Sequence, residues 1–319
     1  MGLLILLASG LALIVAAGTL WVVRGMLHPP RKTYAFALAK QLPADPTDLG
    51  LSAENATFTF RDGFATGGWR IEGQSPDGPV ILLTHGWSSS RYMVLPRAAL
   101  VAQFASQVVL YDMRGHGDST APACHMGTTE ADDLLTVLDQ VGAGNRPIVL
   151  FGTSMGAGIS IVAAARDESD RIKAVIAEGP YRYLLTPLIA HMKRHKFPTF
   201  PFATLAWWHV RFWLGGFEGY DRALHAAKLR CPLLLLHGSR DDVCRVDMAR
   251  QIAGAAPDAT FVEIPEAGHS DLPSVNEAMY LEAVEALMRR VKNPPWEERT
   301  FKIDAATRQT RPAAVAQGA

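Results

Sequence analysis

The chain begins with an apolar run that no charge interrupts. Leu3 to Val23 contains twelve Leu, Ile and Val and no Asp, Glu, Lys or Arg. Wound as a helix at about 1.5 Å per residue it is about 31 Å long, the thickness of a bilayer's hydrocarbon core. Residues 25 to 54, with Pro29-Pro30, Pro43 and Pro46, show no such pattern and read as a linker. Beyond them, short apolar runs alternate with amphipathic stretches. Thr57–Arg61 and Trp69–Glu72 alternate apolar and polar positions, as an antiparallel pair does. Val80–Thr84, Val108–Asp112, Ile148–Phe151, Ile172–Ala177, Leu233–Leu236 and Phe261–Ile264 are continuous apolar runs, the mark of strands covered on both faces. Helical spacing is expected over 96–104, 130–141, 154–165, 247–255 and 275–291. Strands alternating with helices predict an α/β architecture with a mostly parallel sheet. One interval breaks the rhythm: residues 180 to 229 separate two strands and hold three of the seven Trp and five of the 13 Phe, an aromatic-rich insertion too long for a plain connection. The tail from residue 293 is rich in Pro, Arg and Ala and is expected to be disordered.

Charge narrows the partners. With 31 Lys+Arg against 31 Asp+Glu, nothing suggests a nucleic-acid partner. Three cysteines form neither a disulfide framework nor a metal-ligand spacing. The N-terminal run fits an uncleaved single-pass anchor better than a signal peptide. No Lys or Arg precedes it, and it exceeds an apolar region of about 7–15 residues. Ala16-Ala17-Gly18 is the one feature a signal peptide would share. Arg24, Arg31 and Lys32 follow the span, which places the bulk of the chain in the cytoplasm.

The candidate chemistry sits where strands end. Gly152-Thr153-Ser154-Met155-Gly156 follows an apolar strand and opens a helix. A serine on such a sharp turn has its hydroxyl lifted clear of the sheet, and neighbours two positions away must be small. Thr84-His85-Gly86-Trp87 closes another strand and offers the Trp87 N–H, which with that of Met155 makes a pair of oxyanion donors. Asp241 follows Gly238 on the loop leaving the next-to-last strand, with Asp242 its direct competitor. His269 stands behind Gly268 after the last strand. The order Ser154, Asp241, His269 is the one expected of a hydrolase in which histidine activates serine and the acid orients histidine. His191 and His195 are four apart, but Lys193 and Arg194 lie between them and no third ligand is evident, so neither a metal nor an organic cofactor is expected.

Together, "LLTHGW", "YDMRGHGDS", "GTSMG", "HGSRDD" and "AGHS" resemble the α/β-hydrolase superfamily over about residues 57–292. Within it the chain is similar to membrane-anchored serine hydrolases related to the serine aminopeptidase and monoacylglycerol-lipase types. That resemblance implies an eight-stranded, mostly parallel sheet with a helical lid over 180–229. It also implies that His116, in the Arg114–Ser119 loop, is structural rather than the base. The expected reaction is hydrolysis of a small-molecule ester, lipid-like in view of the anchor, with Trp207, Trp208 and Tyr181 lining the substrate pocket. The rival readings are an aminopeptidase, which needs an acidic anchor such as Glu178 or Glu218, an acyl-protein thioesterase, and a catalytically idle membrane scaffold. No protein partner is indicated.

Overall fold

The computed structural model describes residues 1–214 and 221–292. The first element is helix α1, Gly2–Leu27, long and apolar enough to cross a membrane. A short helix α2, Tyr34–Ala39, and a 3-10 turn at Pro46–Leu49 follow it. The expected linker is therefore structured. Asp45 and Asp48 cap the turn reciprocally. The Arg31 guanidinium donates to the carbonyls of Ser119 and Ala121, tying the segment to the body of the protein. Isolated side chains with distant partners stitch it down, and a local hydrophobic pattern carries no trace of them.

An eight-stranded sheet forms the body. In chain order its strands are β1 (Ala53–Thr59), β2 (Ala65–Glu72), β3 (Val80–Thr84), β4 (Gln107–Tyr111), β5 (Ile148–Thr153), β6 (Ile172–Glu178), β7 (Leu233–Gly238) and β8 (Ala259–Ile264). Their spatial order is β1-β2-β4-β3-β5-β6-β7-β8. β2 runs antiparallel to both its neighbours, β1 and β4, and β3 through β8 are mutually parallel. The continuous apolar runs fill both faces with period two. Val80, Leu82, Val109, Leu150, Val175 and Leu235 join one core, whereas Ile81, Leu83, Val108, Val149, Ile176 and Leu236 join the other. Helices α4 (Thr129–Val141) and α5 (Met155–Arg166) cover the first core; α3 (Arg91–Ala102) and α11 (Glu277–Lys292) cover the second.

Two helices differ from their sequence pattern. Helix α3 starts at Arg91 rather than at Pro96, because the Asp112 carboxylate accepts the Arg91 N–H at 2.8 Å and serves as an external cap. The helix expected over 275–291 starts at Glu277 as α11, because Asn276 accepts the Met279 N–H at 3.0 Å at its start and separates it from a short helix α10 (Leu272–Val275).

The insertion after β6 folds into α6 (Leu185–Arg194), α7 (Phe202–Leu214) and α8 (Arg222–Ala226). Helix α9 (Val246–Ala255) precedes β8. Glu218, Phe217 and the expected disordered tail lie outside the described residues.

The sheet reverses direction of winding at β3. The chain moves to β4 on one side, then crosses back to β5 on the other. Loops leaving β3 and β5 therefore diverge, and a crevice opens at their carboxyl ends.

Candidate active site

Ser154 occupies that crevice, between β5 and α5, with φ +53°. A non-glycine residue held there is strained, and only tight surroundings maintain it. Those surroundings explain the flanking glycines. A Cβ on Gly152 would lie 2.1 Å from the Gly156 carbonyl oxygen, and a Cβ on Gly156 would lie 2.2 Å from the Thr84 carbonyl oxygen. The first turn of α5 is thus pressed against both its own strand and the end of β3. The Ser154 N–H donates to the Glu178 carbonyl at 2.7 Å, which anchors the turn to β6.

Two further loops converge on the serine. His269 Nε2 lies 3.0 Å from Ser154 Oγ, and His269 Nδ1 lies 2.7 Å from Asp241 Oδ2. The Asp241 side chain is fully buried, while Asp242 is 73% exposed and pairs with Arg194. Asp241 Oδ1 accepts the N–H groups of Val243 and Cys244 at 2.8 and 2.7 Å. Burial alone pushes the Asp241 carboxyl up. The hydrogen bond from His269, its charge and the Cys244 N–H outweigh this, and the group stays below the usual carboxylate range. It is an anion held for the histidine. His269 itself keeps 18% of its side chain exposed, toward the cavity.

The opposite side of the serine is the loop after β3. Trp87 and Met155 both line the cavity in front of Ser154 and His269. Met155 begins α5, so its N–H has no carbonyl within its own helix and lies at the positive end of the helix dipole. Two buried histidines fix the Trp87 loop. His116 Nδ1 faces the Arg114 carbonyl at 2.8 Å, and its Nε2 accepts the Ser88 N–H at 3.1 Å. His85 Nδ1 faces the Gly86 carbonyl at 2.8 Å, and its Nε2 accepts the Met113 N–H at 3.0 Å. Each ring is therefore neutral, with its proton on Nδ1. Burial draws His85 down to about 4 and His116 to about 3. With both ring nitrogens engaged by main chain, His116 has no capacity left to act as a base.

The cavity has a volume of about 750 Å³. Tyr181 lines it, as do residues of α6 and its flanks, among them Leu184, Leu188, His191 and His195. Trp207 and Trp208, expected on the same wall, do not line it. Helix α7 packs along α1 instead, leaving Trp208 49% exposed and Trp207 partly buried against the core. Aromatic content does not say which helix of the insertion faces the cavity; the wall is built by α6 and its flanks, from Leu184 to His195. Helix α1, whose sequence points only to a membrane, contributes Trp21, Val22, Gly25 and Met26. An evenly apolar helix offers no amphipathic stripe from which a docked face could be read.

Asp241, Cys244 and His269 are the described residues whose ligand atoms cluster closely enough to hold a metal ion. Asp241 and His269 already bond each other, and burial raises the Cys244 thiol, keeping it protonated. The donor set therefore suits proton relay rather than metal ligation. His191 and His195 have ring centroids 4.5 Å apart, and His191 stacks edge-on against Trp87.

Comparison with known proteins places this arrangement. Residues 80–286 match the profile of the alpha/beta hydrolase family. The lysophosphatidylserine lipase ABHD12 of Rattus norvegicus is 27% identical over 232 residues, 66% of this chain and 55% of that protein, so the chain spans about half its length. An uncharacterized protein of Mycobacterium tuberculosis is 24% identical over 85% of this chain and 90% of its own. Among solved structures, the esterase Pf2001 of Pyrococcus furiosus superposes with a TM-score of 0.66 at 22% identity, covering 83% of this chain and 97% of its own. A membrane phospholipase A described as a bacterial virulence factor gives a TM-score of 0.60 at 22% identity, covering 91% and 99%. The chain belongs to the alpha/beta hydrolase family and is a hydrolase of that class.

Proposed function

We propose that this protein is a membrane-anchored serine esterase that cleaves lipid-like carboxylic esters through an acyl-enzyme. The observation that carries the reading is the unbroken relay from Asp241 through His269 to Ser154, opening on a largely apolar cavity. Ser154 Oγ attacks the ester carbonyl while His269 Nε2 takes its proton. The N–H groups of Trp87 and Met155 receive the developing oxyanion. His269 then protonates the leaving alkoxide. In the second half it deprotonates the water that releases the acyl group. Asp241 holds the imidazole with its proton on Nδ1 and stabilises the imidazolium.

The names of the relatives support the substrate class, a lipase acting on a lysophospholipid and a membrane phospholipase. Helix α1 supports a location at the membrane, and Arg24, Arg31 and Lys32 favour a cytoplasmic hydrolase domain. An aminopeptidase is less well supported. Glu178, the acid expected to hold a substrate amine, is buried against Arg97 and Tyr280 Oη. A fluorophosphonate probe tests the reading directly. The full chain in detergent should be labelled at Ser154 and should hydrolyse p-nitrophenyl esters faster than aminoacyl amides or acyl-CoA thioesters. Absence of labelling, with the fold intact, would return the chain to the scaffold reading.

A further inference from the structure

The helix that is long enough to cross a membrane is also part of the cavity. At 26 residues, α1 is about 39 Å long, about 9 Å more than a hydrocarbon core of about 30 Å. That excess corresponds to the stretch that behaves differently. Leu3, Leu13 and Leu20 are 59–71% exposed, whereas Val22, Val23 and Met26 are 4–5% exposed and belong to the hydrolase core. Trp21, Val22, Gly25 and Met26 recur at i, i+1, i+4 and i+5, one face of a helix, and that face lines the cavity containing Ser154.

Specific contacts hold this last stretch in place. Trp21 stacks on Phe197 at 5.0 Å, and the Met26 carbonyl accepts the Trp87 indole N–H at 2.9 Å. The residue that offers an oxyanion donor is thus tied by its side chain to the end of α1. One turn earlier, α1 lies so close to α7 that a Cβ on Gly18 would fall 2.3 Å from the Phe202 ring. The lining also includes His28, Ser88, His191 and His195 among apolar residues of α6 such as Leu184 and Leu188.

We propose that the last two turns of α1 are the acyl-chain wall of the active site, so that the membrane helix selects the substrate as well as retaining the enzyme. A long acyl chain lies along Trp21, Val22, Gly25 and Met26, entering from the bilayer side, while its ester carbonyl reaches Ser154. This inference rests on the serine-esterase reading above and adds the element that sets chain length.

Gly25 supplies the test. A Cβ there meets nothing within 4 Å, so a larger side chain projects into open space, and glycine to leucine favours the helix. Gly10, on the same helix away from the cavity, also meets nothing within 4 Å and serves as control. The full chain, its Gly25→Leu form and its Gly10→Leu form are compared in detergent micelles, with rates normalised to fluorophosphonate-labelled serine. Rates are read on p-nitrophenyl butyrate and p-nitrophenyl palmitate. Gly25→Leu should lower the palmitate-to-butyrate ratio by about tenfold or more, since one extra methylene group in an apolar pocket is worth about 10- to 200-fold. Gly10→Leu should leave the ratio at the wild-type value. An unchanged ratio in Gly25→Leu, or an equal fall in Gly10→Leu, overturns the proposal while the esterase reading stands. A chain that labels nowhere and cleaves neither ester overturns both.

Discussion

The turn that carries Ser154 and the cavity wall lie side by side but are built in opposite ways. Gly152 to Gly156 is five consecutive residues whose geometry is set by contacts with the strand before them and the strand beside them. The wall draws on α1, on the loop after β3 and on α6, segments separated by up to about 170 positions. A local device tolerates little substitution and is recognisable from a few letters. An assembled surface draws on residues far apart in the chain and leaves a faint signature. Chemistry and specificity are accordingly encoded at different ranges along the chain.

The sharpest way to break this comparison is to remove the proposed nucleophile. Ser154→Ala should lower turnover on the order of 10⁶-fold with the fold intact, and His269→Ala by a similar factor. Because the two groups act as a unit, the double variant should be scarcely worse than either. Strictly multiplicative losses, measured by steady-state rates on one ester, would mean that they do not share a proton.

Next comes the acid. Asp241→Asn should cost about 10⁴-fold in turnover, because an amide in place of the carboxylate favours the wrong tautomer of His269. Asp242→Asn should cost little, since that side chain is solvated and paired with Arg194. If the Asp242 variant were the damaging one, the relay drawn from residues 241, 269 and 154 would be misassigned.

What was legible follows the same division. Strand cores were readable because both faces of the sheet are buried, which turns each strand into an unbroken apolar run such as Val80–Thr84. Ser154, Asp241 and His269 stand out in the sequence because each follows a strand and lies within three residues of a glycine. The start of α3 was not, because its cap is Asp112 on another strand. The placement of Trp207 and Trp208 was not, because aromatic content says that a surface is buried or lipid-facing without saying against what. The structured segment after α1 depends on Arg31 reaching carbonyls nearly 90 positions away, beyond any periodicity.

The loop that carries Trp87 mixes the two ranges, and pH exposes it. His85 and His116 sit well below the ordinary histidine value of 6.5 in the folded protein, at about 4 and about 3. Below pH 6.5 the unfolded chain binds protons that the folded chain refuses. Their contribution is therefore complete above about pH 6.5 and is lost as pH falls toward 4. Between those limits the pair steepens the loss by up to about 3 kcal/mol per pH unit, one proton for each ring. Urea unfolding between pH 7 and 4.5 should show that slope, and His116→Asn should shed about half of it. An unchanged slope in the variant would mean that His116 is protonated in the native state and does not hold the Ser88 N–H.

A finer contrast separates α6 and α7, two helices of the insertion after β6. Leu188 on α6 lines the cavity and is 7% exposed, so Leu188→Ala opens space there, costs about 2–5 kcal/mol of stability, and shifts preference toward bulkier acyl groups. Trp208 on α7 lies off the cavity and is half-exposed. Trp208→Ala should change stability by about 0.5 kcal/mol and leave the acyl-chain profile on p-nitrophenyl esters as it was. The two variants share a lid and a chain of origin, and they differ in which surface they face. If Trp208→Ala moved the profile as far as Leu188→Ala does, α7 rather than α6 would hold the substrate, and aromatic content would have been a sound guide to the pocket.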